Sequence, residues 1–130
     1  MKVLVLSNNK LEVKEIDNTL EELQKIVGGY IEIPYLSKRF NDNGIDVIIN
    51  EEGKFIEGLK PEIAVIDGAT KQILDVINGS CVFVSHDEEG NTIELNDKQM
   101  KIVMEELRME ATLTYNETGE EVVAKVLFTH

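Results

Sequence analysis

Along this chain the hydrophobic and polar positions change period several times, and each change predicts an element. Lys2–Ser7 (KVLVLS) is a nearly unbroken apolar run, as expected of a strand buried on both faces or at a sheet centre. Asn8, Asn9 and Lys10 make a turn, and residues 11–16 alternate like an antiparallel return strand. Leu20, Leu23, Ile26 and Val27 then recur at helical spacing, with Asn18 as the expected N-cap, Glu21 as its reciprocal partner and Gly28 as the left-handed stop. Residues 30–36 read as strand, at an edge or with a bulge because Pro34 cannot donate to a ladder. Residues 37–44 (SKRFNDNG) read as a polar loop. Ile45–Asn50 alternates as a strand, and a turn at residues 50–53 leads to a short partner strand at residues 54–56.

Farther on, Pro61 followed by Glu62 favours a short helix over residues 60–66. Residues 73–77 allow two readings, one arm of an Asn78-Gly79 hairpin or a helical turn before a strand, and the helical turn is preferred. The run CVFVSH is a strand, residues 87–90 a turn, and residues 91–95 a short strand. Asn96 and Gln99 form a capping-box pattern ahead of Met100, Val103, Met104 and Leu107, which predicts a second principal helix over residues 97–108 with Leu95 stapled against Met100. Residues 111–115 and 122–128 read as strands around a turn at 116–121, a terminal hairpin. The pattern as a whole predicts an α+β fold: a mainly antiparallel sheet, two principal helices and a C-terminal β-hairpin arm. Residues 1–110 form the core domain; residues 111–130 are the arm, part of the same domain or an oligomer clasp.

Composition narrows the function. A chain of 130 residues is one domain by length. Lysine and arginine number 13 against 25 acids, a net charge of −12, and a field of that sign repels phosphate backbones. Duplex nucleic acid is therefore not an expected partner. The single cysteine, Cys81, lies in an apolar run and fits a reducing cytoplasm. No apolar run approaches the roughly 18 residues of a membrane span, and no signal peptide is recognisable.

Catalytic and metal chemistry lack their residues. Histidine stands only at 86 and 130, with no partner at metal-ligand spacing, and the acidic loops lack the ligand order of a calcium loop. Gly28-Gly29 follows a helix and precedes a strand, the reverse of a phosphate loop. No nucleophile elbow or local triad is present. The expectation is a protein that is not an enzyme and needs no cofactor or metal. Arginine is scarcer than lysine and occurs at 39 and 108, and its planar fork suits phosphate recognition. The ordinary readings are a loop charge for Arg39 and a helix C-terminal charge for Arg108. The functional reading is a ligand site of Arg108, Phe83 and Asn91, with Arg39 as a further candidate.

The segments LEELQKIVGGYIEI, NEEGKFIEGLKPE (residues 50–62), DVINGSCVFVSHDEEG (residues 75–90) and ELNDKQMKIVMEEL (residues 94–107) resemble a small family of uncharacterised proteins, a domain of unknown function. Its members occur in phages, plasmids and bacterial genomes carrying mobile elements. The resemblance covers residues 1 to about 107. It assigns no catalytic residue, and the chain departs from it at Lys60 and after Glu110. In layout the chain is also similar to viral anti-defence sponges of the Thoeris anti-defence type, which trap cyclic ADP-ribose-like signals.

Two functions follow as expectations. One is a non-catalytic phage or prophage protein, a dimer or larger homo-oligomer in the cytoplasm of an infected bacterium, that sequesters a nucleotide-derived immune signal (cyclic ADP-ribose-like or a cyclic oligonucleotide) in an interface pocket. The other is an acidic protein-binding inhibitor that mimics nucleic acid and occupies a basic groove.

Overall fold

The computed structural model describes residues 1–114 and 117–130. In chain order these form β1 (Lys2–Ser7), β2 (Lys10–Glu15), α1 (Leu20–Val27), β3 (Ile31–Glu32), α2 (Lys38–Asp42), β4 (Ile45–Asn50) and β5 (Pro61–Ile66). They continue as β6 (Ile73–Asn78), β7 (Cys81–His86), β8 (Thr92–Ile93), α3 (Asp97–Glu106), β9 (Glu110–Thr114) and β10 (Glu121–Phe128). The fold is α+β with two sheets. One runs β2-β1-β7-β4-β3 with β8 beside β7; the other runs β6-β5-β10-β9. Every pairing is antiparallel except β10 with β5.

Alternation across β1, β4 and β7 divides the interior into two cores, because successive side chains leave a strand on opposite faces. Val3, Val5, Ile48, Val82 and Val84 meet Leu23 and Val27 of α1 on one face. On the other, Leu4, Val47 and Phe83 meet Ile63, Val65 and Leu127 of the second sheet and Met100, Val103 and Leu107 of α3. The layers are thus α1, the first sheet, and the second sheet together with α2 and α3. None of the described helices is long and apolar enough to cross a membrane.

The helix signals hold with adjustments. Thr19, not Asn18, caps α1, its Oγ1 accepting Glu22 N–H at 3.2 Å, while Asn18 Nδ2 donates to Thr92 O at 2.9 Å. Gly28 ends the helix at φ +86°, a conformation a side chain would strain. In α3 the Asn96 and Gln99 box forms as expected, but Met104 turns outward, 46% exposed, and Ile102 takes the inward place.

Five segments depart from expectation. Of residues 30–36 only Ile31–Glu32 pair as strand, at the sheet edge beside β4, and the chain leaves the ladder before Pro34. Residues 38–42 are helical because Ser37 caps them and Phe40 buries its ring, so the polar composition concealed an anchored turn. Residues 54–56 pair with no strand; successive turns close through Gly53 N–H to Asn50 O and Phe55 N–H to Glu52 O. Residues 61–66 are strand β5, flanked on both sides and buried on both faces, with Pro61 at the first position where a missing N–H is tolerated. Residues 73–78 are strand β6, neither helical turn nor hairpin with β7: β6 pairs with β5, and Asn78-Gly79-Ser80 carries the chain from one sheet to the other. The C-terminal hairpin is present, and β10 lies inside the second sheet with Leu127 in the core. The expected strand end at Tyr115 and turn start at Asn116 fall outside the described residues.

Candidate functional site

The residues singled out by sequence hold different places: Phe83 in the core, Asn91 in a turn, Arg39 and Arg108 at the C-terminal end of α3. Phe83 sits at 0% exposure on central strand β7, edge-on to Phe40 with centroids 6.1 Å apart, so its ring supports the core and cannot stack on a ligand. Asn91 closes the β7–β8 turn, donating from its backbone N–H and Nδ2 to the Asp87 carboxylate at 2.9 and 3.1 Å. Those bonds, with others from the turn backbone, hold Asp87 below the usual carboxylate range. Arg108 follows the far end of α3, whose ten residues span about 15 Å. Arg39 spends its fork on Glu106 (2.7 Å) and Glu105 (3.0 Å), clamping α2 to α3; these hydrogen bonds raise its pKa above the ordinary arginine value. Arg39 and Arg108 therefore share the C-terminal end of α3, Asn91 belongs to the turn between β7 and β8, and Phe83 lies in the core between the sheets.

Cys81 is fully buried, and desolvation pushes its thiol pKa far up, aided by the nearby Glu62 carboxylate. His86 Nδ1 lies 2.9 Å from Asp46 Oδ2 across β7 and β4. Among the described residues no cluster of three His, Cys, Asp or Glu is placed to hold a metal ion.

A different region gathers features that pattern reading passed over. The turns between β4 and β5 carry Phe55 at 87% exposure, and Ile56 beside it is also exposed. Gly53 holds these turns against β6: a Cβ there would lie 2.7 Å from Asn78 O, closer than real Cβ atoms approach backbone. Lys54 pairs with Asp75 of β6, and Asp75 Oδ1 also accepts Val76 N–H at 2.8 Å. Clefts open on both sides of β6. One of 140 Å³ includes Glu32, Glu51, Phe55 and Ile77; one of 440 Å³ includes Pro61, Ile73 and Leu113; Lys54, Asp75, Val76 and Asn78 line both. Asn78 Oδ1 is buried without a hydrogen-bond partner among the described residues. A third cleft, of 300 Å³, lies between Ile56 and the exposed Tyr30.

A family model described as a domain of unknown function, DUF3846, matches residues 1–108. The chain belongs to that family. The DUF3846 match takes in the Phe55 turns, β6 and α3, and leaves β9 and β10 outside. No curated protein and no solved structure matches the chain.

Proposed function

We propose that this DUF3846 chain is a non-catalytic binding module that docks on another protein through the Phe55 turns and the adjoining β6 edge. The observation that carries the reading is the exposure of Phe55. Phe40 and Phe83 are core residues, and Phe128 lies beneath the Lys71 ammonium, 4.9 Å from the ring centroid. An aromatic ring left in water beside further apolar groups is what a partner pocket recovers on binding. Ile56, Ile73, Leu74 and Tyr30 are exposed in the same region, and Glu51, Glu52 and Glu57 rim it. The complementary partner surface is an apolar pocket with a basic border, and the net charge of −12 steers such a partner in. This is the acidic-inhibitor expectation given a docking face.

A second reading, sequestration of a nucleotide-derived ligand by a mobile-element anti-defence protein, is favoured by the 440 Å³ trough, a volume in the usual range of small-molecule sites, about 300–1,000 Å³. Against it, Lys54, the cation lining that trough, is already paired with Asp75.

Two measurements separate the readings. A photo-crosslinking phenylalanine analogue at position 55, expressed in the native cell, is expected to give one discrete protein adduct, and the same analogue at the distant exposed Val13 none. Thermal unfolding with a panel of cyclic nucleotides is expected to leave Tm unmoved. A nucleotide-dependent rise in Tm, or no adduct specific to position 55, rejects the docking reading.

A further inference from the structure

We infer that β6 binds an extended, cation-bearing segment of the partner by strand addition, with Asp75 as the group that changes partners. This rests on the docking reading and supplies its mode. The sheets leave β2, β3, β6 and β9 as outer strands, along with the two-residue β8, which is bonded on one side to β7. β2 carries Lys10, Glu12, Lys14 and Glu15, the charges that guard an edge; β3 has two residues; β9 carries Glu110 bonded to Lys125. β6 reads ILDVIN, with Ile73 and Leu74 exposed. Its one charge, Asp75, is turned onto its own strand, where it occupies the Val76 N–H.

Register shows how a strand would fit. Asp75 and Ile77 pair with Val65 and Ile63, on the face toward the first sheet; Ile77 lines the 140 Å³ cleft and not the larger one, while Asp75 lines both. Val76 pairs with Ala64, whose neighbour across the ladder is Val126; Val122, an even number of residues back along the same strand, pairs with Leu113. Val76 and Leu113 thus share the opposite face, and both line the 440 Å³ cleft. A strand laid beside β6 would send successive side chains to opposite faces, one set into each cleft. The first cleft holds Glu32, Glu51 and Asp75 against the single cation Lys54, and takes a lysine or arginine. The second shares Lys54, Asp75 and Val76 with the first, carries no charge beyond that ion pair, and adds Pro61, Ile73 and Leu113, so it takes an aliphatic side chain. The recognised pattern alternates cation and aliphatic residue. As the segment docks, one of its carbonyl oxygens accepts the Val76 N–H in place of Asp75, whose carboxylate then pairs with the incoming cation. A second copy of β6 fits worse, because it would bring another Asp75 to an already acidic edge.

The probe is an alternating Lys-Val octapeptide, capped at both ends, with two analogues N-methylated on every lysine or on every valine. The N–H groups of alternate residues face one edge of a strand, so one analogue blocks the edge toward β6 and the other spares it. The expected result is binding of the parent and of one analogue, an affinity loss of about tenfold or more for the other, and slowed hydrogen exchange at Leu74 and Val76. Charge attraction alone would treat the three peptides alike; equal affinities overturn the inference. So does protection placed elsewhere, or protection of β6 that grows with protein concentration without peptide. An adduct specific to position 55 together with equal peptide affinities would leave the docking reading standing and remove only its strand-addition mode.

Discussion

The buried carboxylate of Glu62 accepts the backbone N–H of Asn9 at 2.9 Å, and its second oxygen takes that of Asn8 at 2.8 Å. Both asparagines have positive φ, so the β1–β2 turn points its amides at β5, and one side chain fastens the first sheet to the second. Glu62→Ala should destabilise the fold by about 1.5–3 kcal/mol, the scale for hydrogen bonds to a charged group, and Glu62→Gln, which keeps one acceptor, by less. Urea unfolding measures both; an unchanged midpoint for Glu62→Ala would remove the fastener.

Gln99 both completes the α3 cap and sends Nε2 to Asn43 O and Ser85 Oγ, each at 2.9 Å. Gln99→Glu removes the amide donor and faces a carboxylate toward a carbonyl oxygen. The new group should have a raised folded pKa, since only its protonated form can donate there. The variant is therefore least stable relative to wild type at neutral pH and recovers as pH falls toward 4, which chemical unfolding at several pH values will show.

Asp67, Asp87 and Glu110 are held below their ordinary values of 3.8, 3.8 and 4.5. Backbone hydrogen bonds from Thr70 and Asn91 lower the first two, and the Lys125 side chain lowers the third. A depressed folded pKa contributes stability that is complete above the ordinary value and lost as pH falls through the folded one. Asp87→Asn should thus lower the unfolding midpoint at pH 7, where the carboxylate's contribution is complete, and approach wild type below about pH 4, where that contribution is lost, giving a flatter acid limb. A parallel acid limb in the variant would reject this.

Gly53→Ala tests how the Phe55 turns are seated. A methyl group 2.7 Å from Asn78 O forces the turns off β6, at a cost of about 1–3 kcal/mol, whereas Phe55→Ala should leave stability within about 0.5 kcal/mol. Both should reduce crosslinking or partner binding. Loss of stability in Phe55→Ala would mean that the ring packs on its own chain.

Phe83→Leu should destabilise by about 1–3 kcal/mol by leaving a void beside the Phe40 ring, and leave peptide and nucleotide affinities unchanged. Arg108→Ala should leave them unchanged as well. A selective loss of nucleotide affinity in either variant, measured calorimetrically on folded protein, would restore the ligand site expected from sequence.

What sequence revealed depends on how local each signal is. The α3 box, the Gly28 stop and the alternation of Ile45–Asn50 are written within a few residues, and the structure uses them. Burial on both faces erases the alternation of β5, and with β5 read as a helix, β6 has no strand to pair with across the short turn that joins them. Phe83 stands three residues before His86, the end of its strand, near the acidic turn, and spacing does not tell that its side chain faces the centre of the core. Phe55 went unnoticed for the converse reason: assigned to a strand it has an inward face, and only the turns show that it has none. The two clefts are properties of the β6 register, which no residue spacing encodes.

The parallel pairing of β10 with β5 also sets an order of events. Ile63 and Val65 must wait for Lys125 and Leu127, far along the chain, before their ladder closes. Contacts of such separation form slowly, and meanwhile β5 offers an apolar open edge. During synthesis that edge stays unprotected until Glu121–Phe128 clears the ribosome, so a chaperone that shields β5, or a slow release of β10, would govern how much of the chain reaches its folded state instead of aggregating.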